Sequence, residues 1–199
     1  MQTISSIDIK YGIFRKRVSS SVTTKLIMVV AMACLTGLLA QVRILLPFTP
    51  IPITGQVLAV LMSGILLGRW WGGASMALYA VAGIAGLPWF AGFSSGFGAT
   101  GGYILGFIPA ALFLGHFVDN YVESRRFLSL MGLMLVATLI YYIPGAIWLS
   151  LWLKSAGLAT SFADAIRMGV VPFVALDLLK AFAAGFFAFA IVPKQDYSS

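Results

Sequence analysis

The sequence predicts an all-α integral membrane protein, a compact bundle of six transmembrane helices with both termini in the cytoplasm. Hydrophobic residues make up 60% of the 199-residue chain and charged residues only 10%. A water-soluble domain of this length has too little interior to bury so much apolar surface. Apolar runs of about 20 residues, the length that crosses a hydrocarbon core, recur along the whole chain. Lys and Arg concentrate in alternate connections between those runs, as orientation in a membrane requires.

The elements follow in order. Residues 1–23, with Lys10, Arg15, Lys16 and Arg17, read as a basic cytoplasmic tail, because the run that follows is too long for the core of a cleaved signal. Spans are expected at about 24–46, 52–68, 70–88, 101–120, 127–153 and 168–192, forming one membrane domain over 1–199. The second span is the shortest, since "PFTPIPITG" (47–55) places three prolines where regular helix is hard to sustain. Trp70, Trp71, Trp89, Trp148 and Trp152 flank span ends, where an interfacial belt belongs.

With both termini inside, nine Lys and Arg lie on the cytoplasmic side and three, Arg43, Lys154 and Arg167, on the outer side. The thirteenth, Lys180, falls within a span. The outer connection between spans three and four, "PWFAGFSSGFGAT" (88–100), has no charge and combines Gly92, Gly96 and Gly98 with aromatic residues. It reads either as a flexible loop or as an apolar lid, glycine absorbing backbone change while aromatics exclude water.

Asp177 and Lys180 are the strongest chemical signal. Counting from Pro172, they lie roughly 8 and 12 Å from the outer end of span six, on one helical face. Charges at that depth cost a few kcal/mol each and mark ligand or ion paths; a structural ion pair is the alternative. Arg43, ending span one on the outer side, and Gln56 add polar groups near the same end, so that with Asp177 and Lys180 they could hold one small polar ligand between apolar walls. A snorkelling end residue is the plainer reading of Arg43. In span one, Ala33 and Gly37 begin a strip of small side chains that suits either packing inside the bundle or docking to a separate membrane subunit.

Other chemistry has little to rest on. A single histidine, His116, and a single cysteine, Cys34, make no metal or disulfide framework. No G-x-x-x-x-G-K-[ST] loop is present, so any pumping must be powered elsewhere. Neither an enzyme nor a nucleic-acid site is expected, and no cofactor.

"PIPITGQ" (50–56), "GLPWFAG" (86–92), "TGGY" (100–103) and "DLLKA" (177–181) together resemble the BioY family, the biotin-specific substrate-binding subunits of energy-coupling-factor (ECF) type ABC transporters. The resemblance implies capture of biotin from outside and its uptake with a transmembrane coupling subunit and two cytoplasmic ATPases, in the cell membrane. It implies a ligand-contacting set of Asp177, Lys180, Arg43, Gln56, Phe93, Gly101, Gly102 and Tyr103, with Ala33 and Gly37 as the docking strip. Asp177 would accept from a ureido N–H, Lys180 would donate to the ureido oxygen and Arg43 would meet the carboxylate, or the two ends of the ligand are reversed. A subunit for another vitamin and a stand-alone small-molecule facilitator are the rival readings.

Overall fold

The computed structural model describes residues 6–158 and 161–194. Residues 1–5 of the expected tail, 159–160 of the last outer connection and 195–199 lie outside the described residues, as do the side chains of Lys10 and Lys16. The elements are α1 Ser6–Ser19, α2 Val22–Gln41, β1 Arg43–Ile44, β2 Ile53–Thr54, α3 Gln56–Leu67, α4 Arg69–Ile84, α5 Gly101–Asn120, α6 Phe127–Ser155, α7 Phe162–Gly169 and α8 Val171–Ile191.

Helix α2 begins where the Ser21 hydroxyl accepts from the Thr24 amide. It stops at Gln41, short of the expected 46, because Arg43 and Ile44 turn extended and pair antiparallel with Thr54 and Ile53. The intervening prolines cannot donate to a helix, so the chain crosses this stretch as a hairpin. That ladder, two residues on each side, interrupts an otherwise mostly helical chain. The helix in the region expected for the second span starts at Gln56, and the helix in the region expected for the third ends at Ile84.

Among the described residues four helices, α2, α5, α6 and α8, are long and apolar enough to cross a membrane. With 12 and 16 residues, α3 and α4 are shorter, about 18 and 24 Å at 1.5 Å per residue. They are separated at Gly68, whose φ of +83° is the left-handed conformation that glycine adopts without strain. Helix ends at this break leave backbone groups without helical partners, and Asp119 and Arg17 supply partners from elsewhere in the chain. Asp119 Oδ2 accepts from the Arg69 amide at 2.9 Å, and its Oδ1 pairs with Arg17 Nη2 at 2.7 Å. Arg17 Nη1 also donates to the Ile65 carbonyl at 3.1 Å, while the fully buried Arg125 donates from Nε to the Val118 carbonyl of α5. Residues 6–19 are therefore no loose tail: α1 buries Phe14 and ties this end of the bundle through Arg17.

Of the four long apolar helices, α5 is the most enclosed, packed by α3, α4 and α6. Its approach depends on glycine. A Cβ on Gly64 would overlap the Ala111 carbonyl, and one on Gly115 would overlap the Arg69 backbone. In lipid, where apolar surface alone does not drive helices together, such close approach is the main source of cohesion. Thr36, Ser63, Ser75 and Thr138 are buried, and each hydroxyl donates to a carbonyl of its own helix three or four residues back. No buried side-chain polar atom among the described residues lacks a partner, as a medium without water demands.

The outside of the bundle is apolar, with Leu38, Leu139, Ile143, Ile147, Leu179 and Phe182 all more than half exposed. Water would not tolerate so continuous a girdle; acyl chains do. The small-residue strip of α2 is not part of it. Ala33 is fully buried, and a Cβ on Gly37 would stand 3.2 Å from Trp89 Cβ, so both residues serve packing inside the bundle instead of presenting a docking face. The connection between α6 and α8 contains a helix that the sequence reading did not include: α7 begins with a reciprocal capping box between Ser161 and Asp164.

Candidate functional site

One cavity lies between the ends of α3, α5, α6 and α8, at the end of the bundle that also carries the β-hairpin and the 88–100 loop. Its charged wall comes from α8. Asp177 is 4% exposed, and Lys180, one helical turn on, donates from Nζ to Oδ1 at 2.7 Å. The other oxygen, Oδ2, accepts from the Tyr141 hydroxyl at 3.0 Å and the Tyr142 hydroxyl at 2.7 Å. A buried carboxylate is tolerable only with such compensation. Here three donors from two helices provide it.

The other walls are aromatic and aliphatic. Tyr103 of α5 lines the cavity and donates to the Gly169 carbonyl at 2.8 Å, tying α5 to the α7–α8 junction. Phe107, Ile104 and Phe173 supply apolar surface, and Ile51, Pro52 and Thr54 close the side toward the hairpin. Gln56 reaches the lining as well, with its amide nitrogen donating to the Tyr79 hydroxyl at 3.1 Å. At about 60 Å³ the cavity is far smaller than the roughly 300–1,000 Å³ of typical ligand pockets, so its mouth must move for a vitamin-sized guest.

The 88–100 loop forms that mouth through Ala91 and Thr100, and its two halves are held differently. Gln41, the last residue of α2, stitches down the first half: its Oε1 accepts from the Gly92 and Phe93 amides at 3.1 and 3.0 Å, while Nε2 donates to the Trp89 and Phe90 carbonyls. Phe90 is buried beside Tyr79, ring centroids 5.2 Å apart. The second half is clasped from α6, where Trp148 donates to the Gly98 carbonyl at 2.8 Å and packs its ring, tilted by 54°, against Phe97 with centroids 4.3 Å apart. Exchanging Gln41 for Leu removes every one of the Gln41 bonds to the loop. Ligand dissociation should then accelerate by roughly tenfold or more, at about 1 kcal/mol per lost neutral bond, as read by stopped-flow or filter-binding kinetics.

Of the residues expected from the sequence, Gln56, Tyr103, Asp177 and Lys180 meet at this cavity. Arg43, Phe93, Gly101 and Gly102 are not among its lining residues. Arg43 follows the helix end into the extended strand and packs its guanidinium against Gly92, outside the cavity. Phe93 sits at the loop apex with φ +56° and is 73% exposed. Gly101 and Gly102 open α5, where a Cβ would press on Phe97 and overlap Pro144 and Trp148, so their role is close packing. Sequence reasoning missed Tyr141 and Tyr142. The signal was present, since adjacent phenols in the middle of an apolar span need hydrogen-bond partners at depth.

A multi-pass membrane bundle with one charged, aromatic-walled pocket at one end defines its class as a small-molecule transport protein. The chain belongs to the BioY family, whose model matches residues 12–196. It is 48% identical over 142 residues to a probable biotin transporter BioY of Methanothermobacter thermautotrophicus, covering 68% of this chain and 90% of that one. It is also 33% identical over 149 residues to the biotin transporter BioY of Thermotoga maritima, covering 72% and 82%. Its fold matches the crystal structure of the S-component for biotin from an ECF-type ABC transporter with a TM-score of 0.72 at 23% identity, over 84% of this chain and 90% of that one.

Proposed function

We propose that this chain is a biotin-binding membrane subunit that captures the vitamin outside the cell and delivers it inward, working with a transmembrane coupling subunit and two cytoplasmic ATPases. The observation that carries the reading is the compensated Asp177–Lys180 pair, buried at the cavity instead of facing lipid. It joins an acceptor to a donor, the pairing that a ureido N–H and its neighbouring carbonyl require. The apolar walls suit a thiophane ring and an aliphatic tail. Family membership and the similarity to biotin transporters support the choice of biotin over other vitamins.

The proposed topology has six crossings, α2, α3, α4, α5, α6 and α8, with both termini cytoplasmic and the cavity opening outward. The distribution of Lys and Arg supports it. Arg43 stands beside the loop at the mouth, where it would meet the valerate carboxylate once the loop has moved. With Ala33 and Gly37 engaged inside the bundle, the coupling subunit must dock on another face. Binding needs no chemical step by the chain and no cofactor.

The test is purification of the full chain in detergent, identification of any small molecule that co-purifies, and calorimetry against a panel of vitamins. Biotin should be retained and should bind at least 100-fold more tightly than the other vitamins, a difference of about 3 kcal/mol. Equal or tighter binding of a different vitamin would sink the assignment.

A further inference from the structure

The charge in the pocket belongs to Asp177 and Lys180, but two other residues set how many acceptor directions it offers. An ionised carboxylate has about four lone-pair directions. Tyr141 and Tyr142 aim both their hydroxyls at Oδ2, and the Lys180 ammonium takes one direction of Oδ1. One acceptor direction is left, on Oδ1, beside an ammonium whose other N–H groups are not spent on Asp177. Successive residues on a helix diverge by about 100°, so adjacent tyrosines reach a single oxygen only because Asp177 lies in the angle between them. Their rings are held in place: Tyr141 lies edge-on to Phe107 at 5.7 Å and Tyr142 edge-on to Tyr103 at 6.3 Å.

We propose that Tyr141 and Tyr142 are specificity-determining positioning residues that restrict Asp177 to a single acceptor, so that the pocket takes a neutral cyclic urea and refuses the cationic cyclic guanidine of the same shape. The proposal rests on the reading above, in which Asp177 and Lys180 meet the ureido ring. A urea gives Oδ1 one N–H and gives Lys180 its carbonyl oxygen. The guanidinium isostere replaces that oxygen with further N–H groups, which face the ammonium, donor against donor. It also adds a positive charge to a pair that is already neutral overall, at membrane depth where an unbalanced charge is costly. Removing the phenols reopens the Oδ2 directions and leaves the carboxylate less compensated. The guanidinium profits from both changes; the urea from neither.

Competition binding of biotin and 2-iminobiotin at neutral pH, on the purified full chain in detergent, tests this in the wild type, Tyr141→Phe, Tyr142→Phe and the double variant. The wild type should prefer biotin by at least about 100-fold, as expected of a site built to hydrogen-bond one ligand and not its isostere. In the double variant that ratio should fall by roughly tenfold or more, with each single variant in between. Equal weakening of both ligands with an unchanged ratio overturns the proposal, because a merely structural loss does not discriminate between them. If the double variant is not monodisperse on size exclusion, the ratio in either single variant decides by the same rule. Failure of the wild type to bind biotin would refute the ligand assignment and this proposal together, and it is seen without any variant.

Discussion

Asp177→Asn should weaken biotin binding by about 3 kcal/mol, roughly 100-fold or more in Kd. The substitution keeps the size of the side chain and removes its charge. An Asn offers one carbonyl oxygen to groups that now approach two carboxylate oxygens, and its NH2 would face either the Lys180 ammonium at Oδ1 or the two phenols at Oδ2. Lys180, with a side chain 20% exposed, would lose its ion-pair partner and keep only part of its hydration. Stability should therefore fall with affinity, since breaking a buried pair from one side leaves an uncompensated charge. The double variant Asp177→Asn, Lys180→Met separates the two effects. Removing the second charge should restore much of the thermal stability in detergent, while binding stays lost. Calorimetry and a melting curve on the same preparations read both quantities. Unchanged affinity of the single variant would remove Asp177 from the site.

Gly64→Leu should cost about 3 kcal/mol of stability or more, at the upper end of overpacking penalties, and should leave little folded protein after extraction. The mechanism is steric and does not involve the pocket. Even a Cβ at Gly64 would overlap the Ala111 carbonyl and stand 3.1 Å from Leu114 Cβ, so α3 and α5 must separate to admit a larger side chain. Backbone cannot step aside as a side-chain tip can. Helix α5 also packs on α4 through Gly115, so a shift of α5 is felt on both its neighbours. Gly132→Ala is the matched control: nothing stands within 4 Å of a Cβ there, and the exposed α6 position should become more stable by about 0.5 kcal/mol through helix propensity. Similar melting temperatures for the two variants would show that the α3–α5 approach is not needed for stability.

Much of the bundle was legible in the residues. The four long helices lie within or close to spans read from hydropathy alone, because in lipid an uninterrupted apolar run has few alternatives to helix. The irregular stretch at 47–55 was legible too, since proline at Pro47, Pro50 and Pro52 withholds the N–H a helix needs. Two things were not. That Arg43 and Ile44 would fold back onto Ile53 and Thr54 depends on a pairing between distant positions. That residues 6–19 would form a helix pinned by Arg17 depends on Asp119, about a hundred residues away. Local pattern carries no information on either partner.

The candidate site divides in the same way. Asp177 and Lys180 declared themselves, as charges spaced by one helical turn in an apolar run are conspicuous wherever the chain takes them. Their phenolic partners did not, because Tyr141 and Tyr142 read as ordinary aromatics until α6 is laid against α8. Gln41 stands in no motif of the sequence, and only the return of the 88–100 loop to the end of α2 turns it into an anchor. Arg43 was grouped with the site by its place at the outer end of span one, and Phe93, Gly101 and Gly102 by the family resemblance, whereas the structure sets them around its rim or within helix contacts.

By itself, the sequence determined the medium, the long apolar helices and the place where charge enters the apolar zone, since each of these follows from the free energy of moving local groups out of water. Tertiary structure decided which polar groups share a cavity, which small residues are used up inside the bundle, and which loop covers the mouth. Those outcomes depend on contacts between segments far apart in the chain, fixed only when the helices pack.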